Sequence, residues 1–468
     1  MVDIFYVAEP SSWLFKKVGQ KVGASGARQL LLGARLHVDP ATETPDGWVT
    51  ASTVPDDDNV TRSGFIELSR LSSRQQLKIF YTDVGQGDGT LIEAEGAIVI
   101  IDGGPNSGFA NRLKKRLASL RRADQAIGEA PRGSLHINAI VISHFDFDHY
   151  NGLTSVLNNS DYTFGTIYHN GLPRYGEDVD KDLNLGTLSP LPDTSQAIST
   201  DLRGLQSAQK LLDDDLLLTE SNKVNMFGKF LQAAIDASDQ GRLAGFELLK
   251  KRQTGGAPMI LPGTGDDLEF EVLAPLTTTE GGAIKLQAFP DPHDVSASNP
   301  HPTPSDSHTI NGNSIVLRLT YGATTFLFGG DLNQPAQKYL AARYGGLGRF
   351  AADVNKACHH GSSDFDIDYV KAVNPLATVF SSGDNGSYDH PLPDAIGTAA
   401  KHSRGEFPLI FSTELARETG SKVKFGHINA RSNGTVIVMA QKKEKPSASK
   451  TWYPFELPYS GPFPDHHD

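Results

Sequence analysis

The chain has 468 residues, with Lys+Arg 43 against Asp+Glu 55, a net charge of −12, and 38% hydrophobic and 21% charged residues. That length is roughly three domains' worth at about 150 residues each, and the composition is that of a globular chain rather than a disordered one. One cysteine, Cys358, excludes an intramolecular disulfide framework and a cysteine-rich zinc module, and the acidic balance argues against long-range attraction to nucleic acid, although a bound cation would supply its own local positive charge.

In chain order, residues 1–74 form a separate composition zone. Short apolar segments at 30–38, 47–52 and 64–68 are joined by Pro, Asp and Gly turns, which predicts a small β-rich module. The N-terminus MVDIFYVAEPSSWLF carries Asp3 and no basic leader, so it does not read as a signal peptide. Apolar runs such as 97–101 fall far short of the ~20 residues a membrane helix needs, so no membrane association is expected and the expected location is cytoplasmic.

A second unit spans 75–441. "QLKIFYTDVGQGDGTLIEA" reads as strand, Gly-rich turn, strand, and "AIVIIDGG" as a buried strand ending in Asp102 and two glycines. A basic periodic helix is predicted over 109–127, then an apolar strand running into histidines and aspartates at 137–153. Strands alternating with helices imply a layered α/β domain. Apolar residues at 3–4 spacing over 202–253 predict helix, read as a cap inserted at about 200–254. The Pro-, Ser-, His- and Asp-rich stretch 277–310 predicts a long loop. Strands return in "NSIVLRLTYGATTFLFGGDL" and "LATVFSSGDNGSYDHP", and hydrophobic runs at 408–411 and 435–439 close the domain. Residues 442–468 read as a polar tail.

The densest chemical signal is "SHFDFDHYNG", which places His144, Asp146, Asp148 and His149 within six residues directly after an apolar strand. A loop at a strand end presents such side chains into one concavity, and the spacing allows them to divide between two ions a few Å apart. The bland alternative is an acidic surface turn with incidental histidines. Asp331 follows an apolar strand and two glycines that permit close backbone approach, and its alternative is a helix N-cap for "NQPAQKYLAARY".

The form His144-x-Asp146-x-Asp148-His149 resembles the metal motif of the metallo-β-lactamase fold, with Asp146 where most members carry a second histidine. That variant, together with "DVGQGDGTLI", "IIDGG", the strand pair ending at Asp331, "HHGSSD" and "SSGDNGSYDHP" in the same order, is similar to the soluble hydrolase domain of the ComEC-type competence protein family. The resemblance implies an α/β fold of αββα sandwich type, with the helical insertion and the small N-terminal module added. The stretch "LHVDPATETPDGWVTAS…SGFIELS" resembles bacterial SH3-like domains, with Trp48 and Phe65 as core or ligand-groove aromatics.

The resemblance further implies roles. His144 and Asp146 would hold one metal, and Asp148, His149 and His390 the second, with Asp331 bridging them. The wider superfamily has one more histidine on the first metal, and His169 stands in about that place, with a loop histidine as the equal alternative. Of His359 and His360, one would face the metals as ligand or general acid; the backbone N–H groups of Gly361 and Ser362, and the Ser362 hydroxyl, would bind a phosphate oxygen. Catalytic roles are thus expected for Asp148, His359, His360 and Ser362. Asp88 would orient a ligand histidine or be a simple turn carboxylate, and Cys358 reads as a buried, inert thiol.

Three carboxylates make the set harder than a three-histidine zinc site, which favours two Mn²⁺, with Zn²⁺ or Mg²⁺ as alternatives. Two such ions would activate a bridging water for attack on phosphorus. The expected function is a metal-dependent phosphodiesterase, a nuclease acting on DNA, with the N-terminal module available to a protein partner. Arg112, Lys114, Lys115, Arg116, Arg121 and Arg122 offer local positive charge, although a solvated helix face is their default role. The alternatives are a metallo-hydrolase of a small substrate (a cyclic or short oligonucleotide, a lactone or a lactam) and a non-enzymatic partner-binding scaffold.

Overall fold

The computed structural model describes residues 3–413 with interruptions at 10–11, 31, 55–59, 95, 176–187, 191–195, 201, 220, 222, 250, 253–267, 297, 300–301, 384–387 and 406, and beyond them strands Val436–Ala440 and Phe455–Glu456. Most of the tail at 442–468 therefore lies outside the described residues, as does the Asn of the "SSGDNGSYDHP" motif.

Two sheets face each other. The first has eight strands, and its central members are Tyr162–His169, Leu135–Val141, Ala97–Gly103, Gly89–Ala94 and Leu77–Tyr81 in spatial order. The second has six, in the order Glu269–Ala274, Val316–Tyr321, Thr324–Phe328, Val354–Lys356, Ala377–Phe380 and Leu409–Ser412. The period of two along each strand divides the core. Val99 and Ile101 point inward with Ile79, Tyr81, Leu317, Leu319, Phe326 and Phe328, while Ile98 and Ile100 point outward onto helices. Helices Gly108–Ala126 and Phe147–Leu157 cover the outer face of the first sheet through Leu113, Leu117, Leu153 and Val156. Helices Gln334–Tyr344 and Ile367–Val373 cover the second through Ala336, Leu340, Tyr369 and Val373. The layers are therefore helix, sheet, sheet, helix: a mixed α/β, lactamase-like fold.

β-rich strands precede this region. Strands Ser63–Glu67, Trp48–Thr53, Arg35–Asp39, Asp3–Val7 and Leu71–Ser72 form an antiparallel sheet around Val7, Leu36, Val38, Val49 and Ile66. Trp48 is buried and meets Phe15 edge-on, with ring centroids 5.6 Å apart. Trp13, Phe15 and Trp48 line a cavity of about 420 Å³ that Lys21, Glu67 and Arg70 share.

Two sequence expectations are corrected. The stretch 202–253 is not all helix. Helices Leu205–Asp213 and Met226–Asp239 are followed by strand Leu243–Leu248, which runs parallel to Tyr162–His169 and extends the first sheet. Phe227, Phe230 and Leu231 share one buried cluster with Phe145, Tyr150 and Leu153, so these helices pack in the outer layer instead of standing clear of it as a cap. The stretch 277–310 is not one long loop. Strands Leu276–Glu280 and Ala283–Gln287 make a hairpin, paired in turn with Gln196–Thr200. Gly281 and Gly282, with φ of 57° and 83°, supply the positive φ its tight turn requires. Among the described residues, 288–296, 298–299 and 302–305 lie outside the helices and strands, ahead of helix Asp306–Gly312.

The site is assembled where parallel strands end. Leu135–Val141, Ala97–Gly103, Thr324–Phe328, Val354–Lys356 and Ala377–Phe380 all release their chains at the same edge, and the loops that follow carry the His and Asp side chains. Close approach there depends on glycine. A Cβ on Gly152 would lie 2.0 Å from the Gly103 carbonyl oxygen, so the helix carrying Asp148 and His149 seats on the strand end only with no side chain at that position.

Candidate metal centre

Side chains from four separate segments converge: Asp88, His149, Asp331 and His360 are all buried, and one ligand atom from each lies within 4.8 Å of the others. His149 Nε2 is 3.2 Å from His360 Nε2 and 3.3 Å from Asp331 Oδ2, and His360 Nε2 is 3.2 Å from Asp331 Oδ2. Asp148 reaches the same point, 3.2 Å from His360 Nε2 through Oδ2 and 3.9 Å from His149 Nε2 through Oδ1.

The far sides of the two imidazoles are held. His149 Nδ1 lies 2.9 Å from Asp102 Oδ2, and His360 Nδ1 lies 2.8 Å from the Ser381 carbonyl oxygen. A partner on Nδ1 fixes the tautomer that leaves Nε2 a lone pair for an ion. Asp102 also accepts the Ser143 N–H and hydroxyl, each at 2.7 Å, which ties this carboxylate to the base of the motif loop. His359 and His360 both take positive φ, 50° and 54°. Non-glycine residues rarely tolerate that region, and here the turn projects the two rings to different neighbours.

The electrostatics are mutual. Burial disfavours the charged form of each group, yet Asp331, Asp102 and Asp148 outweigh it and hold the His149 pKa well above the ordinary histidine value. Burial likewise opposes charge on His360, and Asp331 and Asp88 reverse that. For Asp331, burial is overcome by His360 and His149, and the carboxyl is held well below the usual range. Lys356, also buried, ion-pairs Asp88, donates to the Gly330 carbonyl at 3.1 Å and stands 3.8 Å from Asp331 Oδ1.

The donor set fits a divalent cation. Two imidazoles with Nε2 facing inward and several buried carboxylates form a hard, mixed N/O site. Asp331 Oδ1, Asp88 Oδ1 and His144 Nε2 are buried without a hydrogen-bond partner, an arrangement that costs energy unless a cation satisfies it.

The remaining expected residues are placed as follows. His144 Nε2 faces Asp146 Oδ2 at 3.5 Å, and its ring lies 4.1 Å from that of His149. Asp146 is engaged on its other oxygen by Arg174 Nη1 at 2.6 Å. His360, expected as ligand or general acid, stands within the four-residue group. His359 stays outside that group, with Nε2 3.4 Å from Asn311 Nδ2. His390 also lies outside, its ring 6.3 Å from that of His360 and its Nδ1 3.4 Å from Gln86 Nε2. His169 is buried between the rings of Phe246 and Phe145, at 4.4 and 5.7 Å, and burial pushes its pKa down to about 3.

Several secondary expectations give way. Ser362 N–H donates to the His359 carbonyl at 2.8 Å, within the turn. Ser362 does not cap the helix Ile367–Val373; Asp366 does. Asp331 is not the cap of the helix after it either, because Asn333 fills that role. On the basic helix, Arg116 pairs with buried Glu93 at 2.7 and 2.8 Å, and Arg121 donates to the carbonyls of Arg132 and Gly133 at 3.0 and 2.7 Å. These two cations are committed within the fold.

Sequence reasoning gave no role to Asp102, Lys356 or Arg174. The first had a signal, a carboxylate closing the apolar strand "AIVIIDGG". Lys356 was a lone cation in an apolar strand just before the two histidines, while Arg174 carried no local mark.

Residues 82–203 match the Metallo-beta-lactamase superfamily. The chain is similar to "Competence protein ComA" of Neisseria gonorrhoeae, 36% identical over 91 residues, covering 19% of this chain and 13% of the relative. It is also similar to "ComE operon protein 3" of Bacillus subtilis (strain 168), 24% identical over 170 residues, covering 36% of this chain and 22% of the relative. The chain thus spans less than a quarter of either relative's length. Among solved structures, the metallo-beta-lactamase fold protein YhfI from Bacillus subtilis overlaps 72% of this chain and 96% of its own at 11% identity, with a TM-score of 0.31. A metallo hydrolase from Ignicoccus hospitalis overlaps 76% of this chain and 100% of its own at 12% identity, with a TM-score of 0.32. Fold, superfamily match and buried cluster together define a metallo-β-lactamase-fold protein with the ligands of a metal-dependent hydrolase, loosely related to competence-system proteins. Among the described residues no helix is long and apolar enough to cross a membrane.

Proposed function

We propose that this protein is a metal-dependent phosphodiesterase, and that its substrate is DNA. The observation that carries the proposal is the convergence of His149, His360, Asp148 and Asp331 at 3.2–3.9 Å on one buried point, at the edge where the strands end. The DNA assignment rests on the collinear motifs resembling the competence-type hydrolase domain and on the similarity to two competence-system proteins.

His149, His360, Asp331 and Asp148 would hold one divalent ion, and His144 with Asp146 would contribute to a second. Bound there, the ions supply Lewis acidity, which makes a water nucleophilic near neutral pH and stabilises charge developing on a phosphate. The chain's own residues do the rest. Asp102 and the Ser381 carbonyl orient the two imidazoles. Lys356 balances the buried carboxylates. His359, outside the ligand group and held near Asn311, would move a proton at the leaving oxygen. Arg174, partly exposed beside Asp146, is placed to meet an anionic substrate at the rim. The partner-binding role of the N-terminal module would use the cavity lined by Trp13, Phe15 and Trp48.

The test is incubation of the full chain with Mn²⁺ and single-stranded DNA, double-stranded DNA, RNA, cyclic dinucleotides and a non-phosphate ester, with Asp331→Ala as control. Metal-dependent DNA cleavage lost in Asp331→Ala supports the proposal. Cleavage of cyclic dinucleotides alone would move the substrate to small nucleotides, and activity confined to the non-phosphate ester would overturn the phosphodiesterase assignment.

A further inference from the structure

The two halves of the His-Asp motif are built unequally. On the His149 side, four buried side chains bring their ligand atoms within 4.8 Å of one another. On the His144 side, His144 Nε2 and Asp146 Oδ2 face each other at 3.5 Å, and neither belongs to that four-residue group. The other oxygen of Asp146 is taken by Arg174, whose Nη1 donates to Oδ1 at 2.6 Å. His169 stands among aromatic rings and outside the compact ligand group, with both ring nitrogens buried and without a hydrogen-bond partner.

Arg174 is held in this position from behind. Its carbonyl accepts from Asn225 Nδ2 at 3.2 Å, and Asn225 Oδ1 accepts the Gly228 N–H at 2.8 Å as the N-cap of helix Met226–Asp239. That helix is locked into the outer layer by Phe227 and Phe230. The backbone at Arg174 is therefore braced by the fold, and an Arg–carboxylate hydrogen bond of 2.6 Å is among the strong ones.

We infer that Arg174 makes the centre asymmetric: the half built from His149, His360 and Asp331 takes one divalent ion tightly, whereas the half built from His144 and Asp146 takes a second only weakly. Two physical effects act together. The guanidinium neutralises the charge that the Asp146 carboxylate would offer a cation, and it occupies one of the two oxygens. A fixed positive charge a few Å from a would-be ion also repels it directly. Arg174 is thus a positioning residue for Asp146. The inference rests on the metal-centre reading above and concerns how the ions are shared, whatever the substrate.

The experiment is calorimetric titration of the metal-free full chain with Mn²⁺, read as stoichiometry and affinity and not as activity. Wild type is expected to bind one ion tightly and a second at least about tenfold more weakly. Arg174→Met, which keeps the aliphatic stem, is expected to strengthen the second ion by about tenfold or more and to change the first by less than about threefold. Should circular dichroism show that variant unfolded, Arg174→Lys serves instead, with a smaller gain in the same direction, because the shorter lysine keeps the charge but loses the guanidinium that holds Asp146 Oδ1. Two equivalent ions in wild type, or a variant that folds and leaves the second ion unchanged or weaker, overturns the asymmetry while the metal centre stands. No ion bound by wild type overturns the metal centre and the asymmetry with it.

Discussion

Asp102 Oδ2 sits 2.9 Å from His149 Nδ1, and His149 presents its Nε2 to Asp331 on the opposite side. The imidazole is thereby clamped between two buried carboxylates, Asp102 behind it and Asp331 in the four-residue cluster. Asp102→Asn should lower Mn²⁺ affinity by about 10–100-fold, the usual loss when a carboxylate behind a ligand histidine is removed. Calorimetric titration measures it. An unchanged affinity would mean that the Ser143 bonds to Asp102 serve the loop alone.

Lys356 faces two carboxylates inside the fold, Asp88 and Asp331. Removing one partner of a buried ion pair leaves uncompensated charge, which costs about 3–5 kcal/mol. Lys356→Met should destabilise the metal-free protein by that order in urea denaturation. Saturating Mn²⁺ should narrow the deficit, because an ion bound near Asp331 replaces the lost positive charge. A deficit that does not respond to metal would separate Lys356 from the centre.

Metal binding should appear as stability. An ion that binds only the folded chain at about 100 times its Kd adds about 2.7 kcal/mol. The melting temperature should rise with Mn²⁺ and fall back on adding a chelator. Asp331→Ala and His360→Ala should be largely blind to both, since each removes a member of the four-ligand group. An equal rise in all three proteins would place the ion elsewhere.

Away from the centre, Glu93 is buried against Arg116. Burial alone would raise its pKa, but the guanidinium outweighs burial and holds the folded value below the ordinary 4.5. A depressed folded pKa gives stability that is fully present above the unfolded value and is lost as pH falls through the folded one. Denaturation of wild type below about pH 4.5 should therefore steepen relative to Glu93→Gln, which should be less stable at pH 7 and flatter in acid. Parallel pH profiles for the two proteins would contradict this.

Much of the fold was legible in the sequence because it rests on local periodicity. A continuous apolar run marks Ala97–Gly103, and helical spacing marks Gly108–Ala126. The misread elements are those whose local pattern is ambiguous. "LAGFEL" buries Leu243 and Phe246, a spacing of three that suits a helix, and only pairing with Tyr162–His169 makes it a strand. The hairpin at Leu276–Glu280 and Ala283–Gln287 lies in a polar, loop-like stretch, and its one local signal is the Gly281-Gly282 turn.

For the candidate site, the amino-acid order alone determined which histidines and aspartates cluster at strand ends, since a motif of six residues needs no long-range information. The tertiary structure decided which of them share a point in space. It drew His360 in beside Asp331, set His390 and His169 apart from the compact group, and brought Asp102, Lys356 and Arg174 up to their partners. Those contacts join residues 28 to 268 positions apart in the chain, from Arg174 with Asp146 to Lys356 with Asp88. No local spacing encodes such a separation; it is fixed only when the strands have paired and the helices have packed.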